Sequence, residues 1–257
     1  MNIEQHTFYS HHLQRDMTYK RYGHWGKPII VFPSSGGSFH EFEDFGMIDA
    51  ISWFIDQGLV QVFTPDSVDK DAFLADWMVP HDRAVRQSDY YRYIVNELIG
   101  SIKSQYNYGG GFIATGCSMG AYHALNIFLR HPDAFDTVIA MSGVYDARIF
   151  VGDYGNDFNI YEHSPVDYIW NQNDGWFIDH YRKGDIIIVT GQGRWEEDTL
   201  KDTGKMKEAF EMKNIPAWVD YWGYDVDHDW PWWKIQLPYY LGALKDQGKL
   251  RSEEHTS

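Results

Sequence analysis

The chain has one cysteine, Cys117, in 257 residues. That rules out an intrachain disulfide and suits a reducing compartment. No apolar run reaches the roughly 20 residues that a membrane-spanning helix needs. Residues 1–14 are polar, carry three histidines, and lack the basic-then-apolar profile of a secretion signal. The cytoplasm is therefore the expected location. Positive charge is scarce: 22 Lys and Arg stand against 37 Asp and Glu, a net charge of −15. Such a surface repels phosphate backbones and anionic lipid, so neither nucleic acid nor membrane is expected as a partner. The sequence has no internal repeat and no linker that would divide it, so residues 1–250 read as one α/β domain followed by a polar tail over 251–257. Homo-oligomerisation stays open on these grounds.

Aromatic residues are abundant, with 11 Trp, 18 Tyr and 15 Phe. Most are assigned to core and rim packing, and the remainder to the wall of a pocket for aryl or sugar groups. Apolar strands alternate with helical patterns along the chain. Strands are expected at 28–32, 60–64, 111–115, 137–141, 185–190 and 217–222. Helices are expected around Ile48, Ile51, Phe54 and Ile55, then over 85–105, 121–130, 200–213 and 230–244. Residues 146–182 break the rhythm and read as a lid-like insertion, with a short helix opened by a capping-box pattern at Ser164. Buried strands separated by helices predict a mostly parallel sheet covered by helices on both faces.

Gly116-Cys117-Ser118-Met119-Gly120 lies between the strand ending near Thr115 and the helix starting near Ala121. A Gly-x-Ser-x-Gly at a strand-to-helix turn is a nucleophile elbow: the serine takes a strained backbone, and the flanking glycines let strand and helix pass. A serine hydroxyl needs a base to take its proton and an acid to orient that base. In an elbow fold the chain order is Ser, then Asp or Glu, then His. His123 and His131 stay on the serine's own helix, and His163 and His180 fall in the insertion. His228 follows the last strand, where the base belongs. The acid should follow the preceding strand, where Glu196, Glu197 and Asp198 compete; Asp146, one strand earlier, is less favoured. The oxyanion needs two N–H donors. One is Met119, after the nucleophile, and the other comes from the small-residue loop Ser34-Ser35-Gly36-Gly37. Asp225, Asp227 and Asp229 imitate the start of a calcium loop. Trp230 at its sixth position and Gln236 at its twelfth reject that reading, and no second histidine lies at zinc-ligand spacing. No metal or cofactor is expected.

Three segments together, 31–37, 116–121 and 223–233 with His228-Asp229-Trp230, resemble the putative-esterase family of α/β hydrolases. That family includes S-formylglutathione hydrolases, feruloyl and acetyl-xylan esterases, and mycolyltransferases. The resemblance covers roughly residues 28–244. It implies the α/β-hydrolase fold, Ser118 as nucleophile, His228 as base, and Met119 with Ser35 or Gly36 as oxyanion donors. The family's acid precedes a Leu-rich helix start, and matching that start to Leu200 favours Glu196 over Glu197 and Asp198, although aspartate is the commoner residue there.

The expected function is a serine carboxylic-ester hydrolase acting on a small-molecule ester. Two other readings use the same residues. One is an acyltransferase that hands the same acyl group to an alcohol; the other is a silent binding protein that kept the fold and uses its aromatics. Labelling of Ser118 by a fluorophosphonate separates the last from the others.

Overall fold

The computed structural model describes residues 1–250, so the tail expected over 251–257 lies outside the described residues. Its strands are β1 (Ile3–Ser10), β2 (Arg15–Tyr22), β3 (Lys27–Phe32), β4 (Val60–Pro65), β5 (Phe112–Cys117), β6 (Phe135–Met141), β7 (Asp185–Thr190) and β8 (Trp218–Tyr221). They form one sheet in the order β1-β2-β4-β3-β5-β6-β7-β8. From β4 to β8 every neighbouring pair is parallel, while β1 and β2 are antiparallel to each other and β2 is antiparallel to β4. This is the mostly parallel sheet of an α/β hydrolase, extended at one edge by a hairpin.

The helices are α1 (Glu41–Asp44), α2 (Met47–Ala50), α3 (Ser52–Asp56), α4 (Pro80–Arg92), α5 (Ile99–Gln105), α6 (Met119–Arg130), α7 (Arg148–Val151), α8 (Phe158–Tyr161), α9 (Pro165–Asn171), α10 (Gly175–Lys183), α11 (Glu197–Met212) and α12 (Trp230–Asp246). Side chains alternate across the central strands and build a core on each face. Ile30, Phe32, Ala114, Val138, Ala140, Ile186 and Ile188 pack with residues of α4, α6, α9 and α11. Ile29, Val31, Ile113, Ile139, Met141, Ile187 and Val189 pack with α2, α3 and α12. Helix α6 is buried on every side from Met119 to Leu129, as its near-continuous apolar sequence requires. Among the described residues, no helix is long and apolar enough to cross a membrane.

The structure differs from the sequence reading in four places. The hairpin β1–β2 was not expected, although Met17 and Tyr19 of β2 are buried at a spacing of two. The helical stripe from Ile48 to Ile55 is two short helices that break at Ile51. The helix expected over 85–105 begins earlier, with Pro80 in its first turn where a missing N–H costs nothing, and it passes through a π-helical stretch, Tyr93–Leu98. Within that stretch the Glu97 carboxylate accepts the backbone N–H groups of His11 and His12 at 2.8 and 3.2 Å, closing the β1–β2 turn. Finally, Ser164 precedes α9 without capping it. Its hydroxyl donates to Asp167 at 2.6 Å and accepts the Ala147 N–H at 3.2 Å, fastening the insertion to itself instead.

Candidate active site

Sheet register sets the stage. Phe32, Gly116, Ala140, Ile188 and Val219 lie side by side across β3, β5, β6, β7 and β8. The loops after these five strands therefore leave from one edge. The chain order also reverses between β3 and β5, and at the carboxyl ends of such strands an α/β sheet opens a crevice.

Ser118 occupies that crevice at φ +57° and ψ −121°, a conformation that L residues avoid. Two glycines make it attainable. A Cβ on Gly120 would sit 2.2 Å from the Phe32 carbonyl oxygen, and one on Gly116 would sit 2.5 Å from the Gly120 carbonyl carbon. The elbow thus turns in space that only hydrogen atoms fit. Its backbone is fixed by the Ser118 N–H donating to the Met141 carbonyl at 2.9 Å.

Ser118 Oγ lies 2.9 Å from His228 Nε2, and His228 Nδ1 lies 3.2 Å from Glu196 Oε2. The pairs are 110 and 32 residues apart in the chain. Glu196 is fully buried. Burial pushes its carboxyl up, but hydrogen bonds from His228, Ser142 and Thr199 outweigh that and hold it below its ordinary value. Ser142 Oγ donates to Oε1 at 2.6 Å, Thr199 Oγ1 to Oε2, and the Gly191 N–H to Oε1 at 3.3 Å. An ionised carboxylate only accepts, so the proton between it and His228 sits on Nδ1, and in the neutral ring this leaves Nε2 as an acceptor facing the Ser118 hydroxyl.

Two loops hold the imidazole and the carboxylate in register. A Cβ on Gly191 would meet the Val226 carbonyl oxygen at 2.0 Å, and one on Gly193 would meet Asp227 Oδ1 at 2.3 Å. Across this close approach the Gly193 N–H donates to the Val226 carbonyl at 2.9 Å, the His228 N–H to the Arg194 carbonyl at 3.0 Å, and the Arg194 N–H to Asp227 at 2.8 Å. Asp227 is thus a loop tie, and Asp229 caps α12 by accepting the Trp230 N–H at 2.7 Å.

The competing carboxylates are elsewhere. Glu197 and Asp198 are exposed in the first turn of α11, and Asp146 pairs with Arg148 at 2.8 Å. The oxyanion candidates fall on both sides of Ser118. Met119 opens α6, so its N–H belongs to the orphan donors at the positive end of a helix. Of the other two, the Gly36 N–H is given to Asp69 Oδ2 at 3.2 Å. Among the described residues the Ser35 N–H has no partner.

The sequence reading missed the side chains that support Glu196 and His228: Ser142 and Thr199, which donate to the carboxylate, and Trp233. Trp233 Nε1 donates to Ser142 Oγ at 3.0 Å, and its ring stands edge-on to His228 with centroids 5.0 Å apart. Ser142 itself sits at φ +55° after β6. Trp233 had a sequence signal, its place five residues after His228 on a helix, whereas a positive φ at a serine leaves none.

Comparison with known proteins follows the same outline. The Putative esterase family model matches residues 19–244. No curated protein matches the sequence significantly. Among solved structures, a ferulic acid esterase superposes with TM-score 0.73 at 17% identity, covering 95% of this chain and 98% of the other. Mycobacterium tuberculosis MPT51 gives 0.74 at 15% identity, covering 98% and 100%. The S-formylglutathione hydrolase FrmB of Staphylococcus aureus gives 0.69 at 15%, covering 95% and 96%. At these identities the superpositions speak for the shared fold, while the family match spans β3 to β8 and the second half of β2. The chain belongs to the Putative esterase family: it is a serine carboxylic-ester hydrolase on the α/β-hydrolase fold.

Proposed function

We propose that Ser118, His228 and Glu196 act as nucleophile, base and orienting acid in ester hydrolysis through an acyl-enzyme. The observation that carries this is the continuous hydrogen-bonded chain from Ser118 Oγ through both imidazole nitrogens to a buried carboxylate. His228 Nε2 takes the Ser118 proton as Oγ bonds to the ester carbonyl carbon. The carbonyl electrons move onto oxygen, where the N–H groups of Met119 and Ser35 receive them. His228 then returns the proton to the departing alcohol, and the C–O bond to that alcohol breaks. Water enters, gives its proton to His228 and attacks the acyl carbon; the second tetrahedral species collapses as the C–Oγ bond breaks and His228 returns the proton to Ser118 Oγ, releasing the acid. Glu196 stays ionised throughout and stabilises the imidazolium.

The insertion supports a substrate wall. Phe150, Val151 and Tyr154 pack with Phe73 and Leu74 on the cluster that contains Met119, so an apolar surface flanks the elbow. That placement suits an apolar acyl or alcohol group. The direct test is labelling with a fluorophosphonate followed by peptide mass analysis. One adduct per chain on Ser118, lost in Ser118→Ala together with p-nitrophenyl ester hydrolysis, is expected. Folded protein that takes no label would sink the reading.

A further inference from the structure

The loop after β3 is a four-residue turn in which the Gly37 N–H donates to the Ser34 carbonyl at 2.9 Å. Gly36 has the positive φ, +66°, that a type II turn needs at its third residue. A peptide unit is planar and trans, so its N–H points opposite to its C=O. With the Ser34 carbonyl aimed into the turn at Gly37, the Ser35 N–H of the same peptide unit is aimed out of it.

Turns of small residues rotate easily, and two carboxylates restrain this one. On one side Glu41, nearly buried on α1, accepts the Ser34 N–H at 2.7 Å and the Ser34 hydroxyl at 2.6 Å. On the other side Asp69, fully buried in the turn after β4, accepts the Gly36 N–H at 3.2 Å. Asp69 is held in turn by His123 of α6, whose Nε2 lies 2.9 Å from Asp69 Oδ1. Tyr91 Oη at 3.3 Å and Gln87 Nε2 at 3.4 Å face the other ring nitrogen. Asn126 already donates to Tyr91 Oη, so the Tyr91 proton is free to go to His123 Nδ1, and the Nε2 proton goes to Asp69. Hydrogen bonds to carboxylates are the stronger kind, and here they engage the amides on both sides of Ser35 and leave Ser35 alone.

Resting on the esterase reading above, we propose that Glu41 and Asp69 are positioning residues that clamp the turn on either side of Ser35. His123, on the nucleophile's own helix, locks Asp69 in place, so that the Ser35 N–H is presented to the oxyanion. A clamp anchored on α6 ties the second oxyanion donor to the same rigid body that carries Ser118 and Met119.

A matched pair of p-nitrophenyl substrates, one ester and one thionoester, reads the clamp, because the sulfur of C=S accepts hydrogen bonds poorly. In Asp69→Ala the ester kcat should fall about 10²–10³-fold, the loss typical of one oxyanion donor. KM and the thionoester kcat should change much less. Asp69→Asn should recover most of the ester rate: its amide oxygen still accepts the Gly36 N–H, and its amide nitrogen donates to His123 once the ring changes tautomer. If Asp69→Ala fails to fold, the double variant Asp69→Leu/His123→Leu removes the pair without stranding a buried charge, and the same ratio is measured in it. Equal losses on ester and thionoester would overturn the clamp. The outcomes are separable: a wild-type protein that takes no fluorophosphonate defeats the esterase reading, whereas a labelled wild type with an unmoved ester-to-thionoester ratio in the variants defeats the clamp alone.

Discussion

Glu196 shows how a side chain's surroundings select it from equals. Three carboxylates stand in sequence after β7, yet Glu196 alone is turned inward to accept from Ser142, Thr199 and His228, while Glu197 and Asp198 face solvent at the start of α11. An isosteric amide at Glu196 keeps the volume but loses the charge that fixes the His228 tautomer. Glu196→Gln should therefore lower kcat by about 10³–10⁴-fold, the scale seen when a triad carboxylate becomes an amide. Glu197→Gln should leave kcat within about threefold, as exposed substitutions away from a site do. Steady-state kinetics on both variants check this, and the reverse ranking would remove Glu196 from the mechanism. At this scale Ser118 and His228 were legible because a tight turn and a chain order are local or ordinal features. The choice among adjacent acids rested on matching a helix start to relatives, because burial is not written in spacing. Asp69 and His123, 54 residues apart, carried no signal at all.

At the scale of elements, the site is a set of loops held at fixed distances by missing side chains. Gly191 is the tightest of these contacts, with its virtual Cβ 2.0 Å from a backbone oxygen of the histidine loop. Gly191→Ala must separate the acid loop from the histidine loop. Its position, beyond the ordered end of β7, leaves the sheet itself untouched. The expected result is a folded protein whose kcat falls about 10²-fold, the cost of a displacement near 1 Å, with circular dichroism unchanged. Loss of fold with loss of activity would show that the contact supports the sheet rather than the site. Elements with strong periodicity or a Pro or Gly at an end were readable. The β1–β2 hairpin was not, because β1 is half exposed along its length and offers little apolar alternation. The break at Ile51 was missed for a different reason: an apolar spacing that fits a helix also fits two short helices folded over the same core.

Across the whole molecule, stability should weaken on acidification well before the carboxylates titrate. Burial pushes the His131 ring down to about 4 from an ordinary 6.5, with Arg130 adding to the shift, and burial lowers His163 in the same direction. Below pH 6.5 the unfolded chain binds protons at these positions and the folded one does not, so the stability they contribute is present above 6.5 and drains as the pH falls toward 4. Glu196 adds a second loss below its ordinary 4.5, because its carboxyl is held below that value in the fold. Urea unfolding midpoints should therefore drop between pH 7 and pH 4, and His131→Gln should flatten part of that drop. An identical pH profile in the variant would refute the assignment.

The sequence by itself determined the alternation of strand and helix, the strained turn at Ser118 and the chain order of Ser118, the acidic cluster and His228 on which the proposed mechanism draws. These rest on periodicity and turn chemistry, which neighbouring residues set among themselves. Only the tertiary structure decided which carboxylate meets His228, and that, among the described residues, the Ser35 N–H of the turn after β3 is left without a partner. The first depends on loops that leave neighbouring strand ends at β6, β7 and β8, and the second on Asp69, brought from the turn after β4 onto His123 of α6; burial and close approach, not adjacency in the chain, choose the partners.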